Sequence, residues 1–115
     1  MNTDVPAGVG VDIVELKRFR EIRCLSRVAE LILAPTEYKR FLDHADQVAF
    51  LASRFALKEA VIKAVPSSLT YHDVEIINVE KKPYARLLNH RSKQHRLFVS
   101  LSHSTDYVAG FALAF

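Results

Sequence analysis

The stretch from Asp46 to Val65 constrains this 115-residue chain more than any other. It is the longest periodic segment, so whatever the chain folds into must be built with it. Asp46 opens it, Phe50, Leu51, Phe55, Ile62 and Val65 supply a buried face, and Pro66 closes it by removing an N–H donor. Inside it, Arg54-Phe55-Ala56-Leu57-Lys58-Glu59-Ala60-Val61-Ile62-Lys63-Ala64 sets four charges in an otherwise apolar run. Arg54 and Lys58 stand four apart, as do Glu59 and Lys63, so each pair shares a helix face. Read alone, Glu59 and Lys63 make a surface pair worth about 0.2–0.5 kcal/mol.

On either side the pattern is shorter. Val9, Val11 and Ile13 alternate with Gly10 and Asp12, as in a half-buried strand. Asp12 followed by Glu15 fits the start of a helix, with Asp12 as its cap. A carboxylate there is placed equally well to hold a cation. Leu16, Phe19, Arg20, Arg23 and Arg27 continue at helical spacing, which predicts a basic stripe. Thr36, after Pro35, is predicted to cap a short helix through Leu42. Strands are predicted from Val74 to Val79, from Tyr84 to Leu88 after a Lys82-Pro83 turn, from Leu97 to Ser102, and from Tyr107 to Phe115. Helices early and strands late give an α+β layout, helices packed on a mainly antiparallel sheet, and not a βαβ repeat. Neither an internal repeat nor a low-complexity tract is present.

Length predicts one domain over residues 1–115, since two pieces would each be too small to bury a useful core. Half the residues are hydrophobic and 25% charged, which fits a globular chain. Cys24 is the only cysteine, so an intrachain disulfide and a thiolate metal cluster are excluded. The first ten residues lack a signal peptide's apolar run, and no stretch reaches transmembrane length. The expected location is therefore the cytoplasm, without membrane association.

The 16 Lys and Arg against 13 Asp and Glu are unevenly spread. Five basic residues fall between Lys17 and Arg27 against Glu21 alone. Lys81, Lys82, Arg86, Arg91, Lys93 and Arg96 form a second tract without an acidic residue. Each is either a solvated surface or an attractor of phosphate, acidic protein or nucleic acid. Nucleic acid is not expected, because no aromatic-interleaved basic strand or reading helix is present. Ser100, Ser102, His103 and Asp106 suggest a hydrolase only superficially: neighbouring side chains diverge in a strand, and the Gly-x-Ser-x-Gly elbow is missing. Metal and nucleotide fingerprints of the CxxC, HExxH, EF-hand, P-loop and dinucleotide types are absent too.

Taken in order, Gly10 to Glu15, Arg54 to Ala64 and Ser100 to His103 resemble the pattern of the holo-acyl-carrier-protein synthases, a branch of the phosphopantetheinyl transferases. Their motifs read Gly-x-Asp-[Ile/Val]-x-Glu, Arg-Phe-Ala-x-Lys-Glu-Ala-x-x-Lys-Ala and Ser-x-Ser-His. Thr36-Glu37 and Asp73-Val74-Glu75-Ile76 also sit where related segments are expected, so the resemblance spans most of the chain. It implies transfer of the phosphopantetheine arm of coenzyme A to a serine of an acidic acyl carrier protein, in fatty acid or related lipid metabolism. Asp12 and Glu59 would hold Mg²⁺, a cation suited by one or two carboxylates plus substrate phosphate. Glu59, or a water on it, would be the base. Lys63 would contact phosphate, with Arg54 and Lys58 as further donors. Ser102 and His103 would line the coenzyme site, His103 binding phosphate or moving a proton. Arg18, Arg20, Arg23 and Arg27 would dock the carrier, and relatives of this kind are homotrimers with sites between neighbours.

Two places depart from that pattern. Val65-Pro66-Ser67-Ser68 stands where the family has a glycine-rich turn, and Lys81-Lys82-Pro83 where it has Gly-Lys-Pro; the chain holds only Gly8, Gly10 and Gly110. The second turn is therefore expected to be strained or rebuilt. The alternative is a weakened relative that binds carrier or coenzyme without transfer.

Overall fold

The structure, a computed structural model, describes residues 5–88 and 95–115. Arg91 and Lys93 of the second basic tract lie outside them. Strand β1 (Gly8–Glu15) leads into α1 (Leu16–Arg20), α2 (Leu25–Ile32), α3 (Pro35–Asp43) and the long α4 (Gln47–Ala64). A 3₁₀ turn at Tyr71–Asp73 precedes β2 (Val74–Val79), β3 (Lys82–Leu87), β4 (Leu97–His103) and β5 (Tyr107–Ala114). Every strand pairing is antiparallel: β1-β5-β4 form one sheet and β2-β3 a hairpin. The α+β layout is as expected.

Helix α4 forms where the pattern requires it. Asp46 Oδ1 accepts the Ala49 N–H at 3.1 Å, and the helix stops two residues before Pro66. It is buried almost all round, because sheet, helices and hairpin surround it. Leu57, Val61, Val74, Ile76 and Leu87 make one core cluster, and Phe19, Phe41, Phe50 and Leu51 belong to the other. Each such side chain contributes roughly 1.5–3 kcal/mol.

The contact between α4 and the sheet is made by main chain. Ala56, Ala60 and Ala64 lie successive turns apart and meet Gly110, Gly10 and Gly8. A Cβ on Gly10 would overlap the Ala60 carbonyl.

Four local readings are corrected. The face of β1 that is buried is the one bearing Gly10 and Val14; Val9, Val11 and Ile13 are 59%, 61% and 67% exposed. Small residues win the helix side because α4 comes too close for anything larger. Asp12 is not a helix cap, since it pairs with Gly110 inside β1 and the helix begins at Leu16. The basic stripe is split, with Arg18 and Arg20 on α1, Arg23 between helices and Arg27 on α2, all exposed. Thr36 likewise lies inside α3; the first-turn donor, Ala34 N–H, is taken by Glu37 Oε1 at 2.7 Å.

Candidate active site

The close β1–α4 contact brings four side chains together. Lys63 Nζ lies 3.3 Å from Asp12 Oδ1 and donates to the Val11 carbonyl at 2.9 Å. The expected Glu59–Lys63 surface pair is therefore replaced by one that ties helix to strand. Glu59 Oε1 accepts from the Tyr71 hydroxyl at 3.3 Å. Tyr71 in turn senses both carboxylates: desolvation, the charge and hydrogen bond of Glu59, and then the charge of Asp12 raise its phenol pKa. Positions 12 and 59, far apart in the chain, share one neighbourhood.

Asp12 Oδ2 is buried and has no hydrogen-bond partner. An orphaned carboxylate oxygen is costly unless something meets it. Among the described residues no group of three or more His, Cys, Asp or Glu could cage a metal. Two carboxylates with one free oxygen suit a hard cation that keeps water and substrate oxygens, as Mg²⁺ does.

On the other flank of α4 lies an open cleft of about 560 Å³, whose walls include Arg20, His44, Arg54, Lys81 and His103. Arg54 is 3% exposed, its guanidinium stacks over the Phe50 ring at 4.4 Å, and its Nε and Nη2 make no hydrogen bond. Burial lowers the Arg54 pKa while Glu37, 3.7 Å away, opposes that. Guanidinium nitrogens that lack a hydrogen bond beside a cleft can serve an anion. None of Asp12, Glu59, Lys63 or Tyr71 lines this cleft. Glu59 is five residues beyond Arg54 and so points about 140° round the helix. Asp12 and His103 stand on different strands with β5 between them, roughly 10 Å apart across the sheet.

Lys58 is taken out of the phosphate-binding set. It is fully buried, and its three protons go to Glu37 Oε1 at 2.5 Å, the Ile32 carbonyl at 2.8 Å and the Tyr71 carbonyl at 3.1 Å. Burial depresses its pKa, and Glu37 partly restores it. Ser102 alternates with Leu101 and His103 along β4, so it faces away from α4 and does not line the cleft. The turn before β3 is strained, but it falls at Glu80 and Lys81, which hold φ of 51° and 69° without a glycine; Lys82 and Pro83, expected in the turn, are already paired in β3.

The sequence reading did not connect Tyr71 with Glu59, because a single tyrosine after a loop carries no periodic signal. In the sequence Glu37 stands out only as part of Thr36-Glu37; its burial opposite Lys58 has no local signature.

Comparison with known proteins identifies the family. The sequence model of the 4′-phosphopantetheinyl transferase superfamily matches residues 8–112. Over 108 residues the chain is 42% identical to the holo-[acyl-carrier-protein] synthase of Geobacillus kaustophilus (strain HTA426), spanning 87% of this chain and 81% of that protein. It is 40% identical over 108 residues to the one from Anoxybacillus flavithermus, spanning 87% and 88%. The crystal structure of the Neisseria meningitidis holo-[acyl-carrier-protein] synthase is similar with a TM-score of 0.84 and 30% identity, over 96% of this chain and 99% of that one. The structure of the synthase from Bacillus anthracis str. Ames in complex with CoA (3′,5′-ADP) has a TM-score of 0.82 and 28% identity, over 95% and 96%. The chain belongs to the holo-acyl-carrier-protein synthase family of the 4′-phosphopantetheinyl transferase superfamily, and it is an enzyme of that class.

Proposed function

We propose that the protein transfers the 4′-phosphopantetheine arm of coenzyme A to a serine hydroxyl of an acidic acyl carrier protein, in a Mg²⁺-dependent reaction. The observation that carries this reading is the meeting of Asp12 and Glu59 around Tyr71 and Lys63, with Asp12 Oδ2 buried and unpartnered.

Asp12 and Glu59 would hold the cation. When bound, it would neutralise charge building on the diphosphate as the leaving group departs. Lys63, already turned toward Asp12, contacts the diphosphate as a mobile point charge. Glu59, or a water on it, takes the proton of the carrier serine as its Oγ attacks the pantetheine-bearing phosphorus. The bond from that phosphorus to the bridging oxygen breaks, and adenosine 3′,5′-bisphosphate leaves with the electron pair. Arg54 and His103, on the cleft, bind the coenzyme's phosphates. Complementary charge between the carrier and exposed Arg18, Arg20, Arg23 and Arg27 speeds encounter and sets orientation.

The cleft and the carboxylates of one chain lie on different flanks of α4, and the outer sheet face presents Val9, Val11, Ile13, Phe98 and Phe111 to solvent. Both features support a homotrimer in which the cleft of one copy completes the carboxylate pair of a neighbour. An exposed apolar row on one sheet face calls for a partner. Among the described residues no helix is long and apolar enough to cross a membrane, which suits the cytoplasm as its place of work.

The test is a mass measurement. Protein incubated with coenzyme A, Mg²⁺ and an apo carrier should raise the carrier's mass by one phosphopantetheine arm, and Glu59→Ala should abolish the gain. An active Glu59→Ala enzyme would overturn the assignment. The Pro66-Ser67-Ser68 loop, without glycine, favours a second reading, a relative that binds without transfer. Calorimetric binding of coenzyme A with no mass gain on several carriers would establish it.

A further inference from the structure

Among the groups around Asp12 and Glu59, Tyr71 has no part in the scheme above, and its placement is unusually well fixed. Its backbone carbonyl accepts from the buried Lys58 ammonium at 3.1 Å. Its ring lies against Phe55, centroids 5.7 Å apart. The 3₁₀ turn that carries it is closed by Asp73 Oδ2, which accepts the Thr70 N–H and hydroxyl at 2.8 and 3.0 Å. A ring nitrogen of the next residue, His72, lies 2.9 Å from the Glu30 carbonyl on α2. Main chain, ring and turn are thus each anchored, and the hydroxyl is delivered to Glu59 without freedom to wander.

Glu59, by contrast, has few restraints of its own. Among the described residues it joins no ion pair, since Lys63 has gone to Asp12. A carboxylate held by an ammonium would have part of its charge cancelled. One held by a neutral hydroxyl keeps that charge for something else, while its rotation is stopped.

We propose that Tyr71 is a positioning residue for Glu59: its hydroxyl fixes one carboxylate oxygen so that the other is presented to the cation shared with Asp12. This rests on the reading of Asp12 and Glu59 as the cation pair. Outer partners of this kind typically set metal affinity by 10- to 100-fold. The anchoring by Lys58 also gives that buried lysine a consequence at the site, through the Tyr71 carbonyl.

The full-length protein and its Tyr71→Phe and Asp12→Asn variants are titrated with Mn²⁺, and the free ion is read by electron paramagnetic resonance. Tyr71→Phe keeps the ring and its packing and removes only the donor. The expected result is an apparent Kd for Mn²⁺ raised about 10-fold, with Asp12→Asn losing the site. In turnover, the KM for Mg²⁺ should rise in parallel while kcat at saturating Mg²⁺ stays within about twofold, a split that a general loss of structure would not give. Wild-type affinity in Tyr71→Phe beside a dead Asp12→Asn overturns the role of Tyr71 and leaves the cation pair standing. Equal Mn²⁺ binding by the wild type and Asp12→Asn, or none by either, overturns the cation pair and the role of Tyr71 together.

Discussion

Lys58 Nζ lies 2.5 Å from Glu37 Oε1 with neither side chain open to water, so α3 and α4 are joined by an ion pair inside the core. The same carboxylate also accepts from Ala34 N–H at 2.7 Å and, through Oε2, from Ile76 N–H at 2.8 Å. One charge thus serves helix α3, helix α4 and strand β2. Lys58→Met would leave that carboxylate buried and uncompensated, and should cost about 3–5 kcal/mol in urea unfolding. Unchanged stability with weakened coenzyme binding would return Lys58 to the phosphate-binding set.

Lys81 should show effects of opposite sign. At φ 69° its Cβ is strained, and Lys81→Gly should stabilise the fold by about 1 kcal/mol. Because Lys81 lines the cleft, the same variant should bind coenzyme A more weakly by calorimetry. Strain retained beside the proposed binding site is the expected relation between cost and function.

Gly10→Ala should be strongly damaging for a single added methyl. The added carbon meets the main chain of Ala60 and the Cβ of Lys63, and neither can step aside cheaply. We expect a loss of about 1–3 kcal/mol or more, and a fall in transfer greater than the unfolded fraction explains, because Asp12 moves with its strand.

Val11→Lys places a charge in the exposed apolar row of β1. The expected outcome is dissociation to single chains in light scattering, with transfer lost and the helical circular dichroism kept. A trimer that survives would exclude this face as the contact.

Acid should act through Glu75. The Thr36 hydroxyl at 2.6 Å, and then Arg86, lower its pKa in the folded chain. A depressed carboxyl contributes stability that is fully present above its unfolded value of about 4.3 and is lost as pH falls through the folded value. Thermal midpoints should therefore drop as pH falls below about 4.3, and Glu75→Gln should flatten that drop.

Much of this was legible in the residues. The Asp46 cap, the Pro66 stop and the apolar run between them fixed α4, and alternation placed β2, β4 and β5 to within a residue or two. The layout followed from helices and strands falling in separate halves. What failed did so for tertiary reasons. The alternation in β1 marked a strand correctly, but which face is buried depends on α4 lying against glycines, and no local pattern encodes that. Asp12 and Glu15 offered a plausible cap that the pairing of β1 with β5 overrode. Arg20, Arg23 and Arg27 kept helical spacing across a break at Glu21 to Cys24. At the site, motif order brought Asp12, Glu59 and Lys63 to notice, whereas the separation of His103 from Asp12 needed the sheet register. The fate of Lys58 needed the burial of Glu37, and Tyr71 had no signal at all.

The three glycines all lie where strand and helix touch backbone to backbone, so the spacing beneath the carboxylate pair is set by atoms that have no rotamers. Core substitutions elsewhere, such as at Leu57 or Val61, can loosen side-chain packing and lower the melting point while leaving that spacing intact. The geometry proposed for the carboxylate pair is thereby insulated from drift in most of the interior, and sequence change there can tune durability with little effect on it.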